Sequence, residues 1–447
     1  MLLRSLLLCF PVLMLASNLI ENPGFKEIGP GSPAHWSTWS PRPEIRPKFG
    51  VVHSAQGDAL SIQSGKTAEY GKWITAPLRV DAGKFYRFEV EYITRNVKND
   101  DVSVAAMLSW FASNGKPDAI QRDYVDKVDL SHDWKRAWRT VQAPAGATSL
   151  RVELAFRWAE RGSVQWRAPM LAAVDAPAPR KVRVATSHIR PQSPYTIESN
   201  LKLMTDMIDA AAKEKADILC LSEGLAERGV RGSLDTRAHT VPGLVTDRLG
   251  ASARKNKIWV VTAVVEREGD SIYNTAFLID RNGRIAGKYR KVHLPLAEAE
   301  DGMTPGNDYH VFDTEFGKIG LLICWDNWFV EPARIMRLKG AEMVFFPIAG
   351  DSDDHWDVMS RARAVDNGLY LVSSNTTGGA SRIVNPAGEV VAEAAGDFKL
   401  AVAEIDLNQE WRTKWLSIGP GLGEGGSLYI KERRPDTYSG VLGSPKE

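Results

Sequence analysis

Three side chains with reactive groups lie at the ends of apolar segments: a thiol, a carboxylate and an amine. Cys324 follows the apolar run 320–323, Glu223 ends the run 216–222, and Lys291 ends the second strand of a predicted hairpin. A buried strand holds its last residue rigidly and leaves it open to a cleft, which suits a nucleophile. A thiol needs a base, and a tetrahedral intermediate needs a cation or donors beside its oxyanion. These residue types therefore fit acyl transfer.

Each of these residues also has a purely structural interpretation. Glu223 could be a capping or surface carboxylate, Lys291 one of several solvated charges, and Cys324 a small core side chain. We interpret His293 as a packing and hydrogen-bonding residue rather than a ligand or base. Cys220, within a strand of Val/Ile/Leu type, is interpreted as inert core.

The segments around the reactive residues alternate between strand and helix patterns. Strands are predicted over 182–188 and 257–266, and apolar residues recur at helical spacing from Ile197 to Ala211. Helices are predicted over 329–339 and 356–368. Strands that alternate with helices indicate layers of sheet and helix, and hence an α/β domain.

The predicted helix over 329–339 begins shortly after Cys324. Pro332 falls in its first turn and Gly340 just past its end, the usual positions for these two residues. A helix N-terminus favours negative charge. We therefore expect this helix to lower the pKa of the Cys324 thiol.

Short motifs accompany these residues in a fixed order along the chain. They are Ser222-Glu223, Tyr273-Asn274-Thr275-Ala276, Tyr289-Arg290-Lys291-Val292-His293-Leu294-Pro295, Thr304-Pro305-Gly306, Ile323-Cys324-Trp325-Asp326-Asn327-Trp328-Phe329 with Glu331-Pro332-Ala333-Arg334 after it, Arg361-Ala362-Arg363-Ala364-Val365-Asp366-Asn367 and Ser381-Arg382-Ile383-Val384-Asn385-Pro386-Ala387-Gly388-Glu389. In this order the chain resembles the nitrilase or carbon-nitrogen hydrolase superfamily over roughly residues 181–407. The resemblance implies a four-layer α-β-β-α sandwich.

The resemblance also implies roles for the matching residues. Glu223 would be the general base, Cys324 the nucleophile that forms a thioester, and Lys291 the oxyanion stabiliser, with help from the backbone N–H next to Cys324. A further glutamate usually positions the lysine and the substrate in such sites. Glu298 and Glu300 are both candidates, and we choose Glu300, although the spacing does not decide between them.

Three residues within the matching motifs are our candidates for substrate contact: Trp325, Asn327 and Tyr289. Asp326 bears on the type of substrate, because nitrilases tend to carry glutamate after the Cys-Trp pair, whereas amidase and carbamoyl-hydrolase branches tend to carry aspartate. The resemblance thus favours hydrolysis of amides or N-carbamoyl compounds. Nitrile hydrolysis, acyl transfer to an amine, and a binding protein that has kept the fold without turnover are the alternatives.

The chain before this domain has a different pattern. Residues 1–17 have the composition of a secretory signal peptide, cleaved near residue 16–17, so we expect a periplasmic or secreted protein. Short alternating strands over 18–174 predict an all-β sandwich, whose opening Asn18-Leu19-Ile20-Glu21-Asn22-Pro23-Gly24-Phe25 resembles carbohydrate-binding jelly-roll domains. Eight of the fourteen tryptophans lie there. Glycan binding and a structural or substrate-gating role are both left open.

The remaining expectations concern domain borders and partners. Residues 175–180 are interpreted as a proline-stiffened linker, 181–407 as the hydrolase domain, and 408–447 as a tail without a helical pattern beyond its first turns. The net charge of +1 gives no sign of nucleic-acid binding. We find no metal-ligand spacing, no cofactor motif and no membrane-spanning segment, and expect a homo-oligomer that acts on a small molecule.

Overall fold

The computed structural model describes residues 17–113, 118–130, 133–350, 354–414 and 421–440. The chain divides into two compact units. The first unit contains the chain up to Pro177 together with the chain from Arg412 onward, and the second is Ala178–Trp411. The predicted signal peptide lies outside the described residues, apart from Ser17.

The N-terminal part of the first unit is made of strands with one helical turn. Its elements are β1 (Trp36–Trp39), β2 (Lys48–Val52), β3 (Ala59–Gln63), β4 (Tyr70–Thr75), β5 (Leu78–Arg79), β6 (Phe85–Arg95), α1 (Asp100–Ser103), β7 (Val104–Ala112), β8 (Gln121–Tyr124), β9 (Lys127–Asp129), β10 (Lys135–Gln142), β11 (Ala147–Arg157) and β12 (Ser163–Val174).

The second unit alternates strands and helices. Its elements are β13 (Lys181–Ile189), α2 (Ile197–Lys213), β14 (Ile218–Glu223), α3 (Leu234–Arg237), α4 (Leu244–Asn256), β15 (Trp259–Glu268), β16 (Ser271–Ile279), β17 (Ile285–Arg290), α5 (Leu296–Glu300), β18 (Val311–Asp313), β19 (Lys318–Leu321), α6 (Glu331–Leu338), β20 (Met343–Pro347), α7 (Asp354–Asn367), β21 (Tyr370–Ser374), β22 (Ser381–Val384), β23 (Val390–Ala394) and β24 (Phe398–Asp406).

The chain then returns to the first unit through β25 (Arg412–Lys414), β26 (Leu422–Glu424) and α8 (Gly425–Lys431). Helix α8 differs from the tail without a helical pattern that the glycine-rich sequence predicts. The Glu424 side chain accepts hydrogen bonds from the N–H groups of Gly426 and Ser427 and so caps this helix. Leu428 packs in a small cluster with Tyr124. Tertiary contacts therefore stabilise a helix that the glycine-rich sequence would not form by local propensity alone.

The first unit consists of two sheets around one core. The sheet orders are β1-β4-β11-β7-β8-β26-β25, with β5 beside β11, and β2-β3-β12-β6-β10-β9. Among the residues that the structure describes, every strand pair of this unit is antiparallel except the short β8–β26 contact. Alternate residues of β6 are buried, and Trp73, Trp110 and Trp166 lie in the core with side chains from both sheets.

The second unit has two six-stranded sheets, β17-β16-β15-β14-β13-β24 and β18-β19-β20-β21-β22-β23. In the middle strands side chains alternate between two cores: Ile218 and Cys220 of β14 face the second sheet, while Leu219 and Leu221 pack with α2 and α4. Helices α6 and α7 pack against the second sheet. The layers are therefore helix, sheet, sheet, helix, in a mixed α/β fold.

Candidate active site

Three elements of the second unit deliver the reactive side chains. Glu223 is the last residue of β14, Lys291 directly follows β17, and Cys324 opens the short 3-10 turn Cys324–Trp328 after β19. Strands β13, β14 and β15 run parallel, as do β19, β20 and β21. Polar side chains lie at the carboxyl ends of these strands, at one edge of the sheets. Open α/β sheets usually have their ligand-binding sites at this edge.

Lys291 is completely buried, and two carboxylates surround its ammonium group. Its Nζ donates to Glu223 Oε1 at 3.1 Å and to Glu298 Oε1 at 2.6 Å. Burial by itself would lower the pKa of Lys291, but the charges of Glu223, Cys324 and Glu298 outweigh it and hold that pKa above its usual value. Lys291 is therefore a fixed cation inside the site.

Asn274, a residue with no role predicted from the sequence, holds the Glu223 carboxylate in place. Asn274 Nδ2 donates to Glu223 Oε1 at 2.7 Å, and the Asn274 carbonyl accepts from the Lys291 N–H at 2.8 Å. One β16 residue thus orients both the carboxylate and the strand end that carries the lysine. Asn274 does lie within one of the quoted motifs, and this was the only sequence signal for it.

Cys324 has an unusual backbone conformation for a residue with a side chain. Its φ of +43° lies in the left-handed region, where non-glycine residues are uncommon and the strain falls most often at functional sites. The thiol is partly buried, and the charge of the Glu223 carboxylate acts on it. The turn therefore places the thiol within the electrostatic influence of the predicted base.

The expectation of a lowered thiol pKa is wrong. Burial raises the pKa of Cys324, and the Glu223 carboxylate raises it further, while the Lys291 ammonium and the Ala349 backbone act in the opposite direction and do not outweigh them. Helix α6 begins only at Glu331, seven residues after Cys324, and a helix dipole acts within its first turn. The resting site contains a neutral thiol that needs its base.

Asp326 anchors the turn that follows the nucleophile. This fully buried carboxylate accepts hydrogen bonds from the Ile323 N–H (3.0 Å), the Tyr289 hydroxyl (2.7 Å) and the His293 N–H (3.0 Å), and the His293 ring also contacts it at 3.0 Å. These donors come from both sides of the site. Asp326 therefore fixes Cys324 relative to the segment that carries Lys291.

The structure corrects the choice of Glu300 as the further glutamate of the site. Glu298 contacts Lys291, whereas Glu300 is exposed at the end of α5. Two residues on a helix are separated by about 200° around its axis, so the two carboxylates face opposite sides. The pKa of Glu298 is raised, chiefly by burial and also by Glu223, with Lys291 acting against both.

We predict that Glu298→Gln lowers kcat/KM about 10- to 100-fold, the range expected when a charged hydrogen-bond partner is removed from a buried ammonium. Glu300→Gln is the matched control on the same short helix and should stay within about twofold of the parent, as surface substitutions usually do. Steady-state ammonia release by both variants measures this. If kcat/KM fell equally in the two variants, Glu298 could not be preferred to Glu300 as the further glutamate of the site.

The three candidates for substrate contact have different surroundings. The Trp325 side chain is 37% exposed, with its ring near those of Trp328 and Phe329. Asn327 is buried and its amide nitrogen donates to Ser360 at 3.4 Å. Tyr289 is buried, and its hydroxyl donates to the Asp326 carboxylate. Its prediction as a substrate contact is therefore wrong: Tyr289 helps to hold Asp326 in place. Only Trp325 of the three has an exposed surface.

Two further features bear on the class of site. Within the described ranges, no group of three or more His, Cys, Asp or Glu side chains could hold a metal ion. In the same part of the chain, no helix combines the length and the apolar character needed to span a membrane.

Cys220 is fully buried, and burial raises the pKa of its thiol, as expected of a core residue.

The arrangement provides the groups that nucleophilic acyl chemistry requires. The charge of one carboxylate acts on a neutral thiol, and that carboxylate shares a fully buried ammonium with a second carboxylate. The first carboxylate can accept the thiol proton, and the ammonium can stabilise an oxyanion that forms beside the thiol.

Comparison with known proteins places this arrangement in a family. Residues 183–414 match the carbon-nitrogen hydrolase family. Relatives include a citrullinase from Francisella tularensis (33% identical, 42% of this chain and 72% of the relative), an N-carbamoylputrescine amidase from Solanum lycopersicum (32%, 55% and 90%) and an omega-amidase from Xenopus tropicalis (30%, 46% and 83%).

A solved structure agrees in fold. A double mutant of the amidase from Nesterenkonia sp. in complex with acrylamide superposes with a TM-score of 0.50 at 24% identity, over 60% of this chain and 99% of that one. The match to the family and the relatives named above confirm the predicted superfamily. The chain belongs to the carbon-nitrogen hydrolase family of the nitrilase superfamily and is an enzyme that hydrolyses carbon–nitrogen bonds other than peptide bonds.

Proposed function

We propose that this protein hydrolyses small amides or N-carbamoyl compounds through a thioester on Cys324, with Glu223 as general base and Lys291 as oxyanion stabiliser. The observation that carries the proposal is the position of Glu223: its carboxylate accepts from Lys291 Nζ at 3.1 Å, and its charge raises the pKa of the Cys324 thiol. The general base thus lies beside both the cation and the nucleophile.

In the first half of the reaction Glu223 accepts the thiol proton while Cys324 Sγ bonds to the substrate carbonyl carbon. The negative charge that forms on the carbonyl oxygen is stabilised by Lys291 and by the backbone N–H next to Cys324. Glu223 then gives the proton to the departing nitrogen, the carbon–nitrogen bond breaks, and ammonia or an amine leaves a thioester behind.

In the second half a water molecule replaces the amine. Glu223 accepts a proton from the water molecule while the water oxygen bonds to the thioester carbon. The carbon–sulfur bond then breaks. The proton returns to Cys324 and the acid is released. The raised pKa of the Cys324 thiol fits this scheme, because a neutral thiol at rest needs a base to accept its proton before it can attack the carbonyl carbon.

The choice of amides and N-carbamoyl compounds over nitriles has two supports. The relatives named above include amidases, one of them named for an N-carbamoyl compound. The residue after the Cys-Trp pair is Asp326, and the amidase and carbamoyl-hydrolase branches that the chain resembles tend to carry aspartate there.

The test is ammonia release by purified protein from aliphatic amides, N-carbamoyl amino acids and nitriles, together with intact-mass detection of an acyl adduct. We expect ammonia from the first two groups and none from nitriles. Faster turnover of nitriles would overturn the substrate class. If neither ammonia nor an adduct forms with any of these compounds, the proposed substrate class is wrong and the enzyme acts on another carbon–nitrogen compound.

Export, assembly and the role of the first unit stay predictions. We propose a periplasmic or secreted homo-oligomer whose first unit is a jelly roll of carbohydrate-binding type. The exposed rings of Trp39 and Trp158 are its clearest sugar-stacking surfaces, yet Lys72 lies 4.5 Å from the centre of the first ring and Arg157 lies 4.2 Å from that of the second. A glycan must displace these cations or bind the opposite ring faces, and a glycan array probed with the whole protein tests this.

A further inference from the structure

A group of buried hydroxyl groups lies between the two sheets of the second unit, beside the end of β14 that carries Glu223. Its members are Ser187 of β13, Ser222 of β14 and Ser374 of β21, all fully buried. We call these three residues the serine cluster. Buried hydroxyl groups cost free energy unless they are hydrogen-bonded, whereas apolar side chains of similar shape can replace a bonded pair at little cost. Packing alone therefore does not account for the serine cluster.

Ser374 joins the serine cluster because its hydroxyl group both donates and accepts. Ser374 Oγ donates its one hydrogen to the Ser187 carbonyl at 2.7 Å. It therefore accepts in its contact with Ser222 Oγ, which lies 3.1 Å away. In the described part of the chain, this contact is the only hydrogen bond of the Ser222 hydroxyl group. A hydrogen bond from Ser222 to Ser374 thus connects the first sheet to the second.

The Ser187 end of the cluster has further support. The Ser187 carbonyl also accepts from Ser381 Oγ at 2.7 Å, and the Ser187 hydroxyl donates to the Cys220 carbonyl at 3.1 Å. Ser374 is therefore held by a part of β13 that is itself fixed to neighbouring strands of both sheets.

The strand ladder alone does not fix the end of β14. Its pairing with β15 shifts register between Cys220 and Glu223. Irregularities of this kind bend a strand, and near active sites they redirect side chains. At this point the Ser222 carbonyl accepts from the Thr262 hydroxyl at 3.2 Å. Side-chain contacts of Ser222 therefore bear directly on where the Glu223 carboxylate lies.

Ser374 is also linked to Glu223 through its backbone. The Ser374 carbonyl accepts from the Ile348 N–H at 2.8 Å, and the Ile348 carbonyl accepts from the Glu223 N–H at 3.4 Å. Two residues further along the chain, a Cβ placed on Gly350 would lie 3.9 Å from Cys324 Sγ. The segment that Ser374 holds thus runs from the base to the nucleophile.

We infer that Ser222 and Ser374 are positioning residues for the reaction, and that their hydrogen bond holds the Glu223 carboxylate where it can accept the thiol proton. Both residues are fully buried, so neither contacts a substrate. A general base acts only within hydrogen-bond reach of the proton that it accepts, so a small displacement of Glu223 should slow the reaction. The inference rests on the proposed function, in which Glu223 is the general base, and adds two residues to it.

The first test measures ammonia release by Ser222→Ala and Ser374→Ala. Each should lower kcat about 3- to 10-fold and leave KM within about twofold, the factor expected if one hydrogen bond between neutral groups is lost in the transition state. The double variant should lose no more than Ser374→Ala alone, because both single variants break the same bond. Losses that multiply in the double variant, or an unchanged kcat in both single variants, would overturn the inference.

Thr186→Val is the matched control. Thr186 is fully buried on β13, and its hydroxyl donates to the Ser373 carbonyl of β21 at 2.6 Å. The variant therefore loses a hydrogen bond between the same two strands and leaves the Ser222–Ser374 bond in place. Its thermal unfolding midpoint should fall as that of Ser374→Ala does, while kcat should stay within about twofold of the parent. An equal fall in kcat would mean that lost stability explains the effect, and would overturn the inference.

A second measurement does not depend on turnover. The charge of Glu223 raises the pKa of the Cys324 thiol, so a displaced carboxylate should raise that pKa less. The midpoint of iodoacetamide alkylation against pH should therefore move to lower pH in Ser222→Ala and stay in place in Thr186→Val. This shift would support the placement of Glu223 by Ser222 and Ser374 even if none of the compounds tested released ammonia, so that the proposed function would fail alone. A midpoint that stays in place in Ser222→Ala would overturn the inference.

Discussion

Replacement of Cys324 by alanine is expected to remove turnover, by about 10⁶-fold in kcat if the loss matches that of a nucleophile in other acyl-transfer enzymes. The thiol supplies the atom that bonds to the substrate carbon, and Glu223 and Lys291 cannot take its place, since one is a base and the other a buried cation. Ammonia release and intact mass in the presence of substrate measure the loss of both turnover and adduct.

The fold should survive this substitution. The φ of +43° at Cys324 is strained for alanine as well, so the change relieves nothing and removes only one partly buried sulfur atom. Cys220→Ala is the matched control: it removes a fully buried thiol and should reduce stability but retain activity. Normal turnover by Cys324→Ala would rule out the thioester mechanism.

Glu223→Gln is expected to lower kcat about 10³-fold, the middle of the range for loss of a general base. The same substitution should make the Cys324 thiol more reactive toward an alkylating reagent, although it lowers kcat. The Glu223 carboxylate raises the pKa of Cys324, and glutamine carries no charge, while Lys291 remains to favour the thiolate. The pKa of Cys324 should therefore fall, and the thiol should be alkylated faster near neutral pH although catalysis is lost.

Iodoacetamide alkylation followed by mass spectrometry across a pH series measures this prediction. The midpoint of the alkylation profile should move to lower pH in Glu223→Gln and stay in place in Glu300→Gln. A midpoint that moves to higher pH would mean that Glu223 does not act on the thiol through its charge, and the assignment of the base would have to change.

Much of the site could be predicted from sequence because local pattern and chemistry coincide. Glu223 and Cys324 each follow an apolar run, and a strand end fixes where such a residue lies without any knowledge of distant contacts. Helices α6 and α7 lie within two residues of their predicted bounds, since Pro332 and Gly340 mark the ends of the first.

The rest depends on contacts that a linear pattern does not contain. The choice between Glu298 and Glu300 is set by the orientation of α5, which follows from its packing. The pKa of Cys324 is set by burial and by a carboxylate 101 positions away in the sequence, so a rule based on the nearest helix gave the wrong sign. The anchoring role of Asp326 depends likewise on Tyr289 in β17 and on His293 in the segment that follows β17.

The position of Asp326 has a consequence for how such an enzyme can change over evolutionary time. Its carboxylate joins the Cys324 turn to the Lys291 segment inside the domain, whereas the loop that follows β14 is supported separately by the Asn200 amide. Substitutions in that loop can therefore accumulate without shifting the reacting groups relative to one another.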